Sequence, residues 1–116
     1  MERVNKPWGY EDWLHQGSYV VKEILITAGH RTSLQLHEQK EETNYIVSGV
    51  MELTVGDEIK RLKSHDFFHI TPNTIHRVTA ISDLLMLEAS TPEVDDVIRI
   101  QDDTNRPDGR IESEHK

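Results

Sequence analysis

The chain has 116 residues, which suits one domain, and 35% of them are hydrophobic, enough for a modest core. A net charge of -8 argues against non-specific binding to nucleic acid or anionic membrane, both of which need a basic face. No cysteine is present, so disulfides and thiolate metal sites are excluded. No apolar run approaches membrane-spanning length, and the N-terminal stretch MERVNKPWGYEDW lacks the apolar core of a secretory signal. These features lead us to expect a soluble cytoplasmic protein that binds neither nucleic acid nor membrane.

Residues 1–17 are polar but carry Trp8, Tyr10 and Trp13, and Pro7 and Gly9 preclude a stable helix. They read as an aromatic arm on the outside of the domain or in a subunit interface, or as the place where Trp8 or Tyr10 forms a pocket mouth. Residues 18–28 read as a strand rich in Val and Ile, interrupted by Lys22 and ended by Gly29. Strands follow over 32–37, 43–48 and 50–55. Gly56-Asp57 reads as a two-residue hairpin turn into a strand over 58–62. Further strands cover 67–71, 74–81 and 84–90, and Thr91-Pro92 ends the last. Many short strands parted by turn residues, with almost no helical periodicity, predict an all-β sandwich or barrel. Beyond it, Val94, Val97, Ile98 and Ile100 can anchor a last segment or short helix. This gives an arm at 1–17, a barrel at 18–101 and a polar surface tail at 102–116.

One constellation stands out among these strands. Gln35 and His37 are two apart, so on a strand both side chains leave the same face. Glu42 begins the next apolar run after a polar turn at 38–41. Paired as a hairpin, those strands would set Glu42 beside His37. An imidazole, a carboxylate and an amide then converge, and His76 in ITPNTIHRV is the partner that closes the set. Nitrogen and oxygen donors of this kind suit borderline and hard divalent ions. His15, His30, His65 and His115 read as structural or exposed, and His69 lies in a strand near the same place.

The spacing Gly29, Gln35-x-His37, Glu42, Gly49 resembles the first motif of the cupin superfamily, with Gln in the place of its usual first His. The second motif matches by spacing. His76 is its terminal His, and the family's Gly, Pro, Gly and Asn positions hold His65, Thr71, Asn73 and Ala80. Asn73 can adopt the left-handed conformation that glycine supplies there. KPWGYEDW at 6–13, SLQLH at 33–37, His76-Arg77 and STPEVDDVIRIQDD at 90–103 further resemble the type II mannose-6-phosphate isomerase cupins, which often form the C-terminal domain of GDP-mannose pyrophosphorylases. The family commonly has an aromatic two residues after the Glu, where this chain has Asn44.

The resemblance implies a jelly-roll barrel, a homodimer and a divalent metal on Gln35, His37, Glu42 and His76, with zinc or manganese foremost and iron, cobalt or nickel as alternatives. It implies aldose–ketose isomerisation of a sugar phosphate, mannose 6-phosphate to fructose 6-phosphate. That reaction needs a general base and a cationic phosphate site. Glu88, a lone carboxylate in LLMLEAS, is the candidate base. It either faces solvent or lines the barrel, where burial would raise its pKa. Arg31, Lys22 and Arg77 are the candidates for phosphate, Arg31 alternatively serving in a surface ion pair. Other readings are a non-catalytic sugar-binding module, a metal-dependent dioxygenase, and a metal-free epimerase built on a His–Tyr pair such as His69 and Tyr45.

Overall fold

The computed structural model describes residues 1–93, 96–103 and 109–110. Among these the chain forms strands and no helix: β1 (Glu2–Lys6), β2 (Gly9–Gln16), β3 (Val20–Ile26), β4 (Leu34–His37), β5 (Glu42–Ser48), β6 (Val50–Val55), β7 (Glu58–Lys63), β8 (Phe67–Ile70), β9 (His76–Ala80), β10 (Leu84–Ser90), β11 (Val97–Gln101) and β12 (Gly109–Arg110). They build two antiparallel sheets, ordered β1-β2-β3-β10-β5-β8 and β12-β11-β4-β9-β6-β7, which face each other as a jelly-roll barrel. No helix among the described residues is long and apolar enough to cross a membrane.

Alternation decides what enters the barrel. In β3 the side chains of Val20, Lys22, Ile24 and Ile26 are buried, and those between them are half-exposed. The register continues these positions onto the neighbouring strands. Ile26 lies opposite Leu84, and Ile24 opposite Met86, which in turn lies opposite Ile46. From the other sheet, Met51 and Leu53 of β6 and Val78 and Ala80 of β9 complete one apolar cluster. The Gly56-Asp57 turn joins β6 to β7 as expected, with Gly56 at φ 56°. Gly49 is required twice over: its φ is 98°, and a Cβ there would run into the carbonyl oxygen of Asp83. His65 and Asn73 also take positive φ, 75° and 62°, at two places where the cupin pattern has glycine.

The N-terminal segment differs from the expected arm. Residues 1–17 contain β1 and β2, which extend the first sheet beyond β3. Pro7 and Gly9 mark a hairpin turn between them. Trp8 is buried in the main apolar cluster, and Trp13 packs with Val4 and Val20 in a second one. Both tryptophans therefore serve this chain's own core. The stretch after residue 93 supplies a strand, β11, in place of a short helix. Val94 and the tail residues 104–108 and 111–116, His115 among them, lie outside the described residues.

The hairpin expected of β4 and β5 is also corrected. β4 pairs with β9 and β11 in the second sheet, whereas β5 pairs with β10 and β8 in the first. The polar turn at 38–41 crosses from one sheet to the other. His37 and Glu42 meet because the two inner faces oppose each other, not because their strands are neighbours.

Candidate metal centre

Each donor reaches the centre for a local reason. His37 ends β4 on the inner face, with Val97 of β11 opposite it. Gln35, two residues earlier, lies directly opposite His76, the first residue of β9. Glu42 opens β5 from the facing sheet. One ligand atom each from His37, Glu42 and His76 can be chosen so that all lie within 4.8 Å of one another, and all three residues are buried. The nearest pair shown is His76 Nε2 and Glu42 Oε1, at 3.6 Å.

Hydrogen bonds set which ring nitrogens face inward. His76 Nδ1 donates to the carbonyl oxygen of Thr74 at 2.9 Å, which leaves the Nε2 lone pair toward Glu42. His37 Nδ1 lies 3.3 Å from Asp96 Oδ1. The second oxygen of Asp96 accepts the backbone N–H groups of Gln39 and Lys40, at 2.8 and 2.9 Å, so one carboxylate holds both the histidine and the turn. Outer partners of this kind orient ligating imidazoles in metal proteins. Gln35 Oε1 accepts from Ser33 Oγ at 2.7 Å and keeps its other lone pair. The donor set fits a borderline or hard divalent cation.

Buried charges flank this centre. Lys40 Nζ lies 3.2 Å from Glu42 Oε2 and 2.8 Å from Glu88 Oε2. Lys22 Nζ lies 3.9 Å from the same Glu88 oxygen and 3.3 Å from Glu11 Oε1, and 4.1 Å from the centroid of the Trp13 ring. The result is an alternating chain Glu11, Lys22, Glu88, Lys40, Glu42. Burial, and then the charge of Glu88, push the Glu42 carboxyl up to about 7 against the pull of Lys40. A cation at the centre would relieve that cost. Burial also opposes ionisation of Glu88, but the ammonium groups of Lys40 and Lys22 outweigh it and hold its carboxyl well below the usual range. Glu88 therefore faces the barrel interior, yet the raised pKa expected for it belongs to Glu42.

Trp8, Glu11, Lys22, His37, Lys40, Asn44, Glu88 and Arg99 are among the residues that line a cavity of about 50 Å³ at this centre. Of the three cations expected to meet phosphate, the structure brings only Lys22 to it. Arg31 is exposed and paired through two 2.7 Å hydrogen bonds with Asp103. Arg77 follows His76 on β9, so it leaves the opposite face of the strand, where it donates to the carbonyl oxygens of Thr32 and Gln101. Lys6 and Arg99 line the cavity instead. Sequence reasoning missed Arg99, because Val97, Ile98 and Ile100 are all apolar and do not show which face of β11 turns inward. Lys40 and Asp96 lie in turns, where no periodicity indicates direction. His69 and Tyr45 are exposed on the outer face, bonded to Thr43 and His65 respectively, so the His–Tyr pair of the epimerase reading is not in the barrel.

Comparison with known proteins agrees with the fold and the chain's kinship. The chain is 31% identical over 104 residues to a mannose-1-phosphate guanylyltransferase of Salmonella muenchen, covering 84% of this chain and 22% of that protein. It is 31% identical over 110 residues to the xanthan biosynthesis protein XanB of Xanthomonas campestris, covering 90% of this chain and 24% of that protein. The chain thus spans less than a quarter of the length of these relatives. Among solved structures, KdgF from a Halomonas species superposes with a TM-score of 0.75 at 21% identity, covering 83% of this chain and 92% of that one. An RmlC-like cupin from Shewanella frigidimarina gives 0.71 at 18% identity, covering 78% and 83%. Both show the shared fold. The pattern of the family described as mannose-6-phosphate isomerase C-terminal matches residues 1–102, and this chain is a cupin that belongs to that family.

Proposed function

We propose that the chain is a metal-dependent isomerase that interconverts mannose 6-phosphate and fructose 6-phosphate. The observation that carries the reading is the convergence of His37, Glu42 and His76, with each imidazole already oriented through its Nδ1. Gln35 is the fourth donor, beside His76. A bound divalent ion would supply Lewis-acid polarisation of the sugar carbonyl and offset negative charge developing on its oxygens.

The chain's own groups do the rest. Glu88, ionised between Lys40 and Lys22, accepts the proton that leaves C2 of the open-chain aldose and delivers a proton to C1, while the hydroxyl proton of O2 passes to O1. Lys40, within 2.8 Å of Glu88, steadies the carboxylate through that exchange. Lys6, Lys22 and Arg99 give the cavity the cationic character that a phosphate requires. Trp8 and Phe68 form apolar walls that limit water.

The test is turnover of mannose 6-phosphate by protein loaded with zinc or manganese, followed by NMR in deuterated water. Fructose 6-phosphate should accumulate with solvent deuterium entering the sugar, and Glu88→Gln should abolish both while retaining the metal. A second reading, a sugar-phosphate-binding module without turnover, is favoured by the low basicity that Lys40 and Lys22 impose on Glu88. It predicts saturable binding with no isotope incorporation.

A further inference from the structure

Asn44 is 2% exposed, and its side chain lines the cavity beside the metal centre. On β5 it follows Glu42 by two residues and precedes Ile46 by two, so all three side chains point into the barrel. Its strand partners on either side are Glu88 and Phe68. Its Nδ2 has no hydrogen-bond partner among the described residues. A buried amide donor left unmatched is destabilising, and such groups are uncommon. Glu42 and Glu88, its carboxylate neighbours on the inner faces of β5 and β10, are engaged with Lys40. The hydroxyl of Ser90 is also buried and unmatched, but of the two only Asn44 lines the cavity.

We propose that Asn44 is a specificity-determining residue, whose Nδ2 donates to a hydroxyl or carbonyl oxygen of the sugar held at the centre. An amide donor at this position selects a ligand with an acceptor oxygen one strand position away from Glu42. It discriminates against ligands that present carbon there, because the donor would stay unmatched. The proposal rests on the sugar-phosphate reading for the identity of the ligand, but the unmatched donor can be tested without any ligand.

The experiment compares wild type with Asn44→Leu, which keeps the branched outline of the side chain and removes both polar atoms. In the absence of sugar, Asn44→Leu should melt at a higher temperature, since it deletes a buried donor that folding leaves unmatched. A lower melting temperature would mean that the fold itself uses the amide, and would overturn the proposal. In calorimetric titrations of the metal-loaded protein, mannose 6-phosphate should bind Asn44→Leu roughly tenfold more weakly than wild type. Inorganic phosphate should bind both alike. Equal affinity of the two proteins for mannose 6-phosphate would overturn the proposal. If wild type binds no mannose 6-phosphate at all, the sugar-phosphate reading fails, and the melting comparison alone decides the role of Asn44.

Discussion

The two ends of the barrel interior are built from the same strands and opposite chemistry. Along β3, β10 and β5 the inward positions at one end are Ile26, Ile24, Leu84, Met86 and Ile46. One register step further they become Lys22, Glu88 and Asn44, and one step beyond that Val20, Ser90 and Glu42. The apolar end needs only shape to be stable. The charged end must match buried ions to neighbours, and it does so with an alternating chain that ends at Glu42 of the candidate metal centre. A fold indifferent to function would extend the aliphatic layer to the rim. The strands thus give the scaffold, and the switch in side-chain type along them marks where the chemistry is.

The comparison is broken most severely at Glu88. Glu88→Gln removes the carboxylate shared by Lys22 and Lys40 and leaves two buried ammonium groups poorly compensated. We expect a loss of about 3–5 kcal/mol, read by urea denaturation. Replacing Lys22, Glu88 and Lys40 together with apolar residues of similar size should recover most of that loss and still abolish activity. At the other end, Leu84→Ala opens a cavity in a fully buried layer and should cost about 2–5 kcal/mol. It should leave metal content unchanged, because Leu84 is not among the residues that line the cavity at the donors. Equal effects of Leu84→Ala and Glu88→Gln on turnover would erase the distinction between the ends.

The smallest effect lies outside the barrel, where Arg3 holds the Asp12 carboxyl below its ordinary range through a side-chain hydrogen bond of 2.7 Å. A carboxyl lowered on folding contributes stability that is present above its unfolded pKa and is lost as pH falls through the folded value. Arg3→Met should therefore destabilise slightly at neutral pH and have no effect in strong acid. A pH series of thermal melts reads this directly. An Arg3→Met effect that grows on acidification would contradict the pairing.

Much of this organisation was legible in the sequence. β6 and β10 have the expected bounds, β6 because apolar and polar residues alternate up to the Gly56-Asp57 turn, and β10 because an apolar run ends at Thr91-Pro92. The convergence of His37, Glu42 and His76 followed from period-two spacing and the cupin pattern. The route did not, since a short polar turn can link two sheets as readily as two neighbouring strands. β1 and β2 were obscured because Pro7 and Gly9 signal a break without saying that a hairpin spans it. The sense of the Glu88 shift was hidden for a different reason. Its two cations come from β3 and from the turn after β4, and no local pattern shows that they meet.

Metal stoichiometry of the purified chain, by elemental analysis of wild type and His37→Ala after incubation with zinc or manganese, tests the central claim most directly. The pH of the incubation matters. Glu42 must be ionised to ligate, and its carboxyl sits near 7 in the metal-free protein, so affinity should fall as pH drops below that value. At pH 8 the account predicts about one ion per wild-type chain and none in His37→Ala. No bound metal in wild type, or equal amounts in both proteins, would contradict it.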